Sequence, residues 1–258
     1  MVVGTAGSVS TGAVDPLPVI AEICRKEKLW FHVDGAYGGF AACSSEAPDD
    51  IRGLALADSV AVDPHKWLYA PLEAGCALVR NPQHLRDAFA YHPVYYHFSV
   101  EAVNLVDHGL QNSRGFRALK VWLALQQAGR EGYEQMIGDD IRYAHLFHEI
   151  LDAYNEIEKV SVELSNSTFR FVPNELKDRT ADPAVGEYLN ELNRELLVDI
   201  ENCGELFVST ATVDGRFLLR LCIVNFRTTL ADLEAVPEII LRLGHEVDTR
   251  LRPESLKE

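Results

Sequence analysis

The chain has 258 residues, 47% of them hydrophobic, which is enough to bury a substantial core in one or two domains. Its formal net charge of -15 argues against nucleic acid or an anionic membrane surface as partner, because both are polyanions. No run is long and apolar enough to span a bilayer, and Met1-Val2-Val3-Gly4 lacks the basic and apolar regions of a signal peptide. Cys24, Cys43, Cys76, Cys203 and Cys222 are odd in number, form no Cys-x-x-Cys pair and mostly lie within apolar runs. They read as reduced, buried thiols in a cytoplasmic protein.

In chain order, Met1 to Thr5 resembles the end of a strand, followed by a loop of small and hydroxyl residues, Gly4 to Gly12. Such a loop can hold a carboxylate or phosphate on backbone N–H groups, or simply join a strand to a helix. Asp15-Pro16 predicts a helix start with Asp15 as N-cap, and Val19, Ile20, Ile23 and Cys24 supply an apolar stripe. Strands are predicted at Leu29–Asp34, Ser59–Val62 and Gly75–Val79, which with the first gives about four before residue 80. This alternation predicts a mostly parallel sheet with flanking helices. A helix at Gln83–Ala90 leads into Tyr91 to Phe98, where proline among aromatics and histidines reads as a loop.

From Arg114 a long helix is predicted to near Gly129, with Leu119, Trp122, Leu123, Leu125 and Gln126 spaced for one buried face. Beyond it, helices are expected at about Tyr133–Tyr154, at Pro183–Cys203 stopping on Gly204, and from Thr229 onward carrying Leu233, Val236, Ile240 and Leu243. Strands are expected near Thr168–Val172, Leu206–Thr212 and Arg216–Val224, with Val213-Asp214-Gly215 as a hairpin turn.

Two strand ends carry the candidate chemistry. Lys66 sits just past the strand Ser59–Val62, where open α/β sheets gather their ligands. Flanked by Trp67, Leu68 and Tyr69, its ammonium is expected to be partly desolvated, which favours the free amine and a Schiff base with a carbonyl. The plain alternative is a surface lysine after a strand. Asp34 closes the strand before it, next to Gly35-Ala36-Tyr37-Gly38-Gly39, and suits pairing with a protonated pyridine nitrogen. A competing reading takes His32 and Asp34, which share a strand face, as part of an iron-type triad completed by His84, His92, His97 or His108.

His32-Val33-Asp34-Gly35-Ala36-Tyr37-Gly38-Gly39 and Asp63-Pro64-His65-Lys66-Trp67 together resemble the group II pyridoxal-phosphate-dependent amino-acid decarboxylases, in the aromatic L-amino-acid and tyrosine decarboxylase branch. The resemblance runs from Val2 to about Val247 and touches only the later half of that family's sequence. It implies an incomplete fold-type-I large domain, a seven-stranded sheet when whole, over residues 1-130, and a small α+β C-terminal domain over 131-258. It implies pyridoxal 5'-phosphate as cofactor, held by Lys66, with Asp34 on the ring nitrogen and Ala36 against a ring face. Asp63 falls near a phosphate contact, and His65 stands beside the lysine. Tyr95, on a loop reaching a partner subunit, is implied as the group that protonates the carbanion carbon, with His65 as the other candidate. A small amino-acid substrate and a homodimer of the full-length form are likewise implied. The ring-stacking histidine and the main phosphate turn lie upstream in the family, so a weakly active or inactive chain is expected. An aldehyde synthase with the same cofactor, or a non-catalytic fragment that acts as an interaction partner, are the competing outcomes.

Overall fold

The computed structural model describes residues 1–95 and 103–256. Its first sheet has the order β1-β2-β3-β4, from β1 (Val2–Thr5), β2 (Phe31–Asp34), β3 (Ser59–Val62) and β4 (Cys76–Val79). The first three strands run parallel and β4 is antiparallel to β3. Helix α1 (Leu17–Glu27) joins β1 to β2, and two 3-10 segments, Gly38–Cys43 and Asp49–Leu56, join β2 to β3. Phe31, Val33 and Val62 point to one face and are buried there, the first two in a core with Leu17, Ala21, Cys24 and Ile51. Side chains alternate along a strand and ladder partners share a face. Val3, His32, Asp34, Ser59 and Ala61 therefore line the opposite face, which the described residues cover only in part: Trp30, packed on His84, bonds Ser59, while Val3 is 50% exposed and Asp34 is exposed.

Helix α1 departs from expectation at its start. Asp15 does not cap it; its carboxylate accepts from the Thr5 N–H at 2.7 Å, and its own N–H donates to the Thr5 carbonyl at 2.9 Å. Two bonds back to β1 hold Asp15 where its oxygen cannot reach the helix, and Pro16 occupies the cap position. The buried stripe is Leu17, Ala21 and Cys24, while Val19 and Ile23 face outward. The loop between turns back on itself: Ser8 Oγ meets Thr11 Oγ1 at 2.9 Å, and Gly12 presses so closely on the Glu163 carbonyl that a Cβ would lie 2.2 Å from it.

After the short helix α2 (Pro64–Trp67) and α3 (Gln83–Phe89), α4 runs from Arg117 to Ile150 with a non-helical break at Gly129. Its first half overturns the expected buried face: Trp122 is 54% and Leu123 52% exposed, with Leu119 and Leu125 also at the surface. The apolar spacing is present, but among the described residues only Val121 and Ala128 of this half pack against the first core. Its second half crosses between two cores, Tyr133, Ile137 and Ile141 packing in the first and Ala144 and Phe147 in the second.

The second core lies between an antiparallel sheet, order β5-β6-β8-β7, and helices α5 (Pro183–Cys203) and α6 (Leu230–Leu251). Strands β6 (Asn166–Phe171), β7 (Ser209–Val213) and β8 (Arg216–Cys222) match expectation; β5 (Ile157–Glu163) was not foreseen. Asp214 and Gly215 at φ 51 and 74 make the two-residue turn between β7 and β8, both positions in the left-handed region that this turn demands. Asp182 accepts from Ala184 N–H at the start of α5, and Thr229 with Asp232 closes a capping box on α6. All five cysteines are free, but only Cys24 is buried; Cys76 and Cys222 reach the surface, against the expectation of buried thiols.

Candidate active site

The site forms where β2 and β3 end. Asp34 pairs in register with Ala61, so both project from the partly covered face. Asp63 follows two residues later with extended backbone and continues that alternation. Pro64 then starts the single helical turn that reverses the chain, and the Lys66 N–H donates to the Asp63 carbonyl at 2.9 Å. The turn brings Lys66 Nζ to 2.9 Å from Asp63 Oδ2. Lys66 and Asp63 thus lie just past the carboxyl end of β3, on the sheet face that also carries Asp34 at the carboxyl end of the neighbouring parallel β2.

The surroundings of Lys66 differ from expectation. Trp67 and Leu68 turn into the core, leaving the lysine side chain 43% exposed and paired with Asp63. His65 Nδ1 lies 2.7 Å from the Ala74 carbonyl oxygen and 3.3 Å from the Ala74 nitrogen. Its Nε2 then faces Asp63 Oδ2 at 4.0 Å. Asp34 Oδ1 accepts from the Ala36 N–H at 3.1 Å, which places Ala36 beside the carboxylate. Tyr95 is 70% exposed in the segment after α3, and the described hydrogen bonds of Lys66, Asp63 and His65 go elsewhere. Tyr96, His97 and Phe98 of that aromatic loop lie outside the described residues. The iron-type reading finds no support: His32 Nδ1 meets Ser59 Oγ at 2.7 Å, and among the described residues no three His, Cys, Asp or Glu side chains converge. Likewise no helix among them is long and apolar enough to cross a membrane.

Behind the lysine turn is a set of contacts that the sequence reading missed. Asp140 of α4, fully buried, accepts on one oxygen from Trp67 Nε1–H at 2.9 Å and from Tyr69 O–H at 2.6 Å. Trp67 stacks on Tyr37 with ring centroids 4.9 Å apart, and the Tyr37 hydroxyl meets Ser165 Oγ at 2.5 Å. Burial raises the Asp140 carboxyl to about 6 and pushes both tyrosine hydroxyls up. One signal was available: Tyr133, Ile137, Asp140, Ile141 and Ala144 form a helical stripe in which Asp140 is the only charged member.

A mostly parallel sheet with flanking helices, and an amine and a carboxylate at adjacent strand ends, places the first unit among the α/β folds. The family described as "Pyridoxal-dependent decarboxylase conserved domain" matches residues 1–172, and the chain belongs to it. Its cofactor is pyridoxal phosphate. An aromatic-L-amino-acid decarboxylase of Bacillus atrophaeus is 36% identical over 251 residues, 95% of this chain and 51% of that protein. Crystal structures of mouse CSAD in apo form and of Oryza sativa TDC with PLP and tryptamine superpose with TM-scores of 0.87 and 0.84, both at 28% identity. Each covers 95% of this chain, against 52% and 50% of theirs. The chain spans about half the length of the relatives it matches.

Proposed function

We propose that this chain carries the lysine-bearing half of a pyridoxal-phosphate-dependent decarboxylase that converts an aromatic L-amino acid to its amine and carbon dioxide. The observation that supports it most is the placement of Lys66, Asp63 and Asp34 on one face at the ends of β2 and β3. That donor set fits the cofactor: an amine for its aldehyde, a carboxylate for its ring nitrogen and, in Ala36, a small side chain against the ring. When bound, the cofactor supplies an electron sink for the bond broken at the substrate's α-carbon.

Lys66 is the residue that would hold the cofactor covalently. Its amine must first surrender a proton and leave Asp63, which keeps the ammonium in place until then. Asp34 would keep the ring nitrogen protonated. His65, its Nδ1 held against Ala74, turns Nε2 toward Asp63 at 4.0 Å and is the second candidate for proton transfer beside Lys66. Tyr95 would deliver a proton to the α-carbon, and its exposed position suits a site completed by a second copy of the chain in a homodimer. The compartment we assign is the cytoplasm.

The partly covered face of the first sheet carries Asp34, and α4 exposes Trp122 and Leu123. A polypeptide equivalent to the rest of the relatives' length would close that face and supply the missing phosphate contacts, so the isolated chain should bind cofactor weakly and turn over little. The test is incubation of the purified chain with pyridoxal phosphate, borohydride reduction and peptide mapping, with Lys66→Ala as control. A reduced adduct at Lys66, absent from the control, is expected. Its absence at saturating cofactor overturns the reading in favour of a non-catalytic fragment. Product analysis after supplying the complementary half should give amine and carbon dioxide; aldehyde with ammonia and peroxide would assign an aldehyde synthase instead.

A further inference from the structure

The turn that carries Lys66 is tied to the first sheet by His65, whose ring lies against the Ala74 carbonyl at 2.7 Å, and by the Asp63 N–H, which donates to the Ala36 carbonyl at 3.3 Å. On the solvent side its one ion pair, with Asp63, is half exposed and therefore weak. Inward, the three residues after the lysine are each fastened to α4. Trp67 Nε1–H and Tyr69 O–H both donate to Asp140 Oδ2, and the Leu68 carbonyl accepts from Tyr133 O–H at 3.0 Å. Tyr69 adopts a left-handed backbone, φ 50, which a side chain with a Cβ enters only at a cost. Its hydroxyl bond to Asp140 and its edge contact with Phe226, 5.4 Å between centroids, keep it there.

We infer that Asp140 is a positioning residue for Lys66: one buried carboxylate on α4 grips the side chains one and three residues after the lysine and so sets where the amine stands relative to Asp34. This rests on the assignment of Lys66 as the cofactor-holding amine. The lysine's place is then fixed from α4 and the loop after β8 as well as from Asp63 and Ala74 beside the strands.

The inference separates Asp140→Ala from Asp140→Asn. An asparagine oxygen can accept from both Trp67 and Tyr69, whereas alanine leaves two buried donors unpaired. In hydrogen exchange on the full chain, the backbone N–H groups of Lys66, Tyr69 and Ala70, bonded within the turn, should open about tenfold more readily in D140A, the loss expected for charge-assisted bonds. Those of β6 should not change. D140N should stay within about threefold of the wild type. In parallel, the yield of borohydride-fixed pyridoxal phosphate at Lys66, relative to the other lysines, should fall in D140A and recover in D140N. If D140A does not fold, Tyr69→Phe removes one donor and no apolar volume, and should open the same turn several-fold. Unchanged exchange across the turn in the folded variant overturns the inference, as does exchange that rises equally in β6. Failure of wild-type Lys66 to take up cofactor would overturn the functional assignment alone, because the exchange result needs no cofactor.

Discussion

The two sheets of this protein have four strands each, yet they meet solvent differently. In the C-terminal unit every residue of β6 is buried, and α5 and α6 close over a core containing Phe147, Phe169 and Phe171. In the N-terminal unit the face carrying Phe31 and Val33 is packed, whereas the face carrying Asp34 is covered only in part by the described residues, by Trp30 against α3. Parallel sheets are ordinarily covered on both sides. The difference separates two tasks: one unit supplies its own stability, and the other presents chemistry on a surface that this chain leaves unfinished.

That contrast can be broken by substitution. Phe171→Ala should destabilise the C-terminal unit by about 3–5 kcal/mol, read by chemical denaturation, because it empties a packed core. A loss below about 1 kcal/mol would show that this core is looser than its burial indicates. The next effect lies at the junction. Asp140 titrates at about 6 in the folded chain, above the ordinary carboxylate, mainly through burial. A raised value means the folded state holds the proton more tightly. Stability from this group is therefore complete at low pH and is lost as pH rises through 6. Asp140→Asn removes that loss. Relative to the variant, the wild type should weaken by roughly 2 kcal/mol between pH 4 and 7, and a flat difference would show the carboxylate is better solvated than its surroundings imply.

On the partly covered face the expected effects concern binding. Asp34→Asn should weaken pyridoxal phosphate about 10- to 100-fold in an absorbance titration, the loss of one charge-assisted bond, while leaving the unfolding midpoint nearly unchanged. Smallest of all, Trp122→Ser on the largely exposed half of α4 should alter the stability of the chain by no more than about 0.5 kcal/mol. A larger loss would mean that something already covers that helix.

The closed unit was also the more legible. Helix α5 falls on its expected bounds because Pro183 and Gly204 mark both ends and Val185, Leu189, Leu192, Leu196 and Ile200 all face one core. The Asp-Gly hairpin and the Thr229 cap were equally local signals. Strand β5 escaped because its alternation is polar: Glu158 faces Arg170 and Arg216, a pairing no local pattern announces. In the open unit, Lys66 and Asp34 could be read from strand ends, but the environment of Lys66 could not. The hydrophobic residues beside it in sequence point away from it, to a helix some 70 positions later. The apolar face of α4 was read correctly as spacing and wrongly as burial, since spacing records what a helix is shaped to meet, not what is there.

The rim of the first sheet adds one practical consequence. Strand β4 ends the ladder, and its four residues, Cys76-Ala77-Leu78-Val79, include no lysine or proline to discourage an incoming strand. Its outward main-chain groups are a ready template for another copy. The behaviour of the purified protein should therefore depend on concentration, and a reductant will matter, because Cys76 is on that margin and can lock a chance encounter covalently.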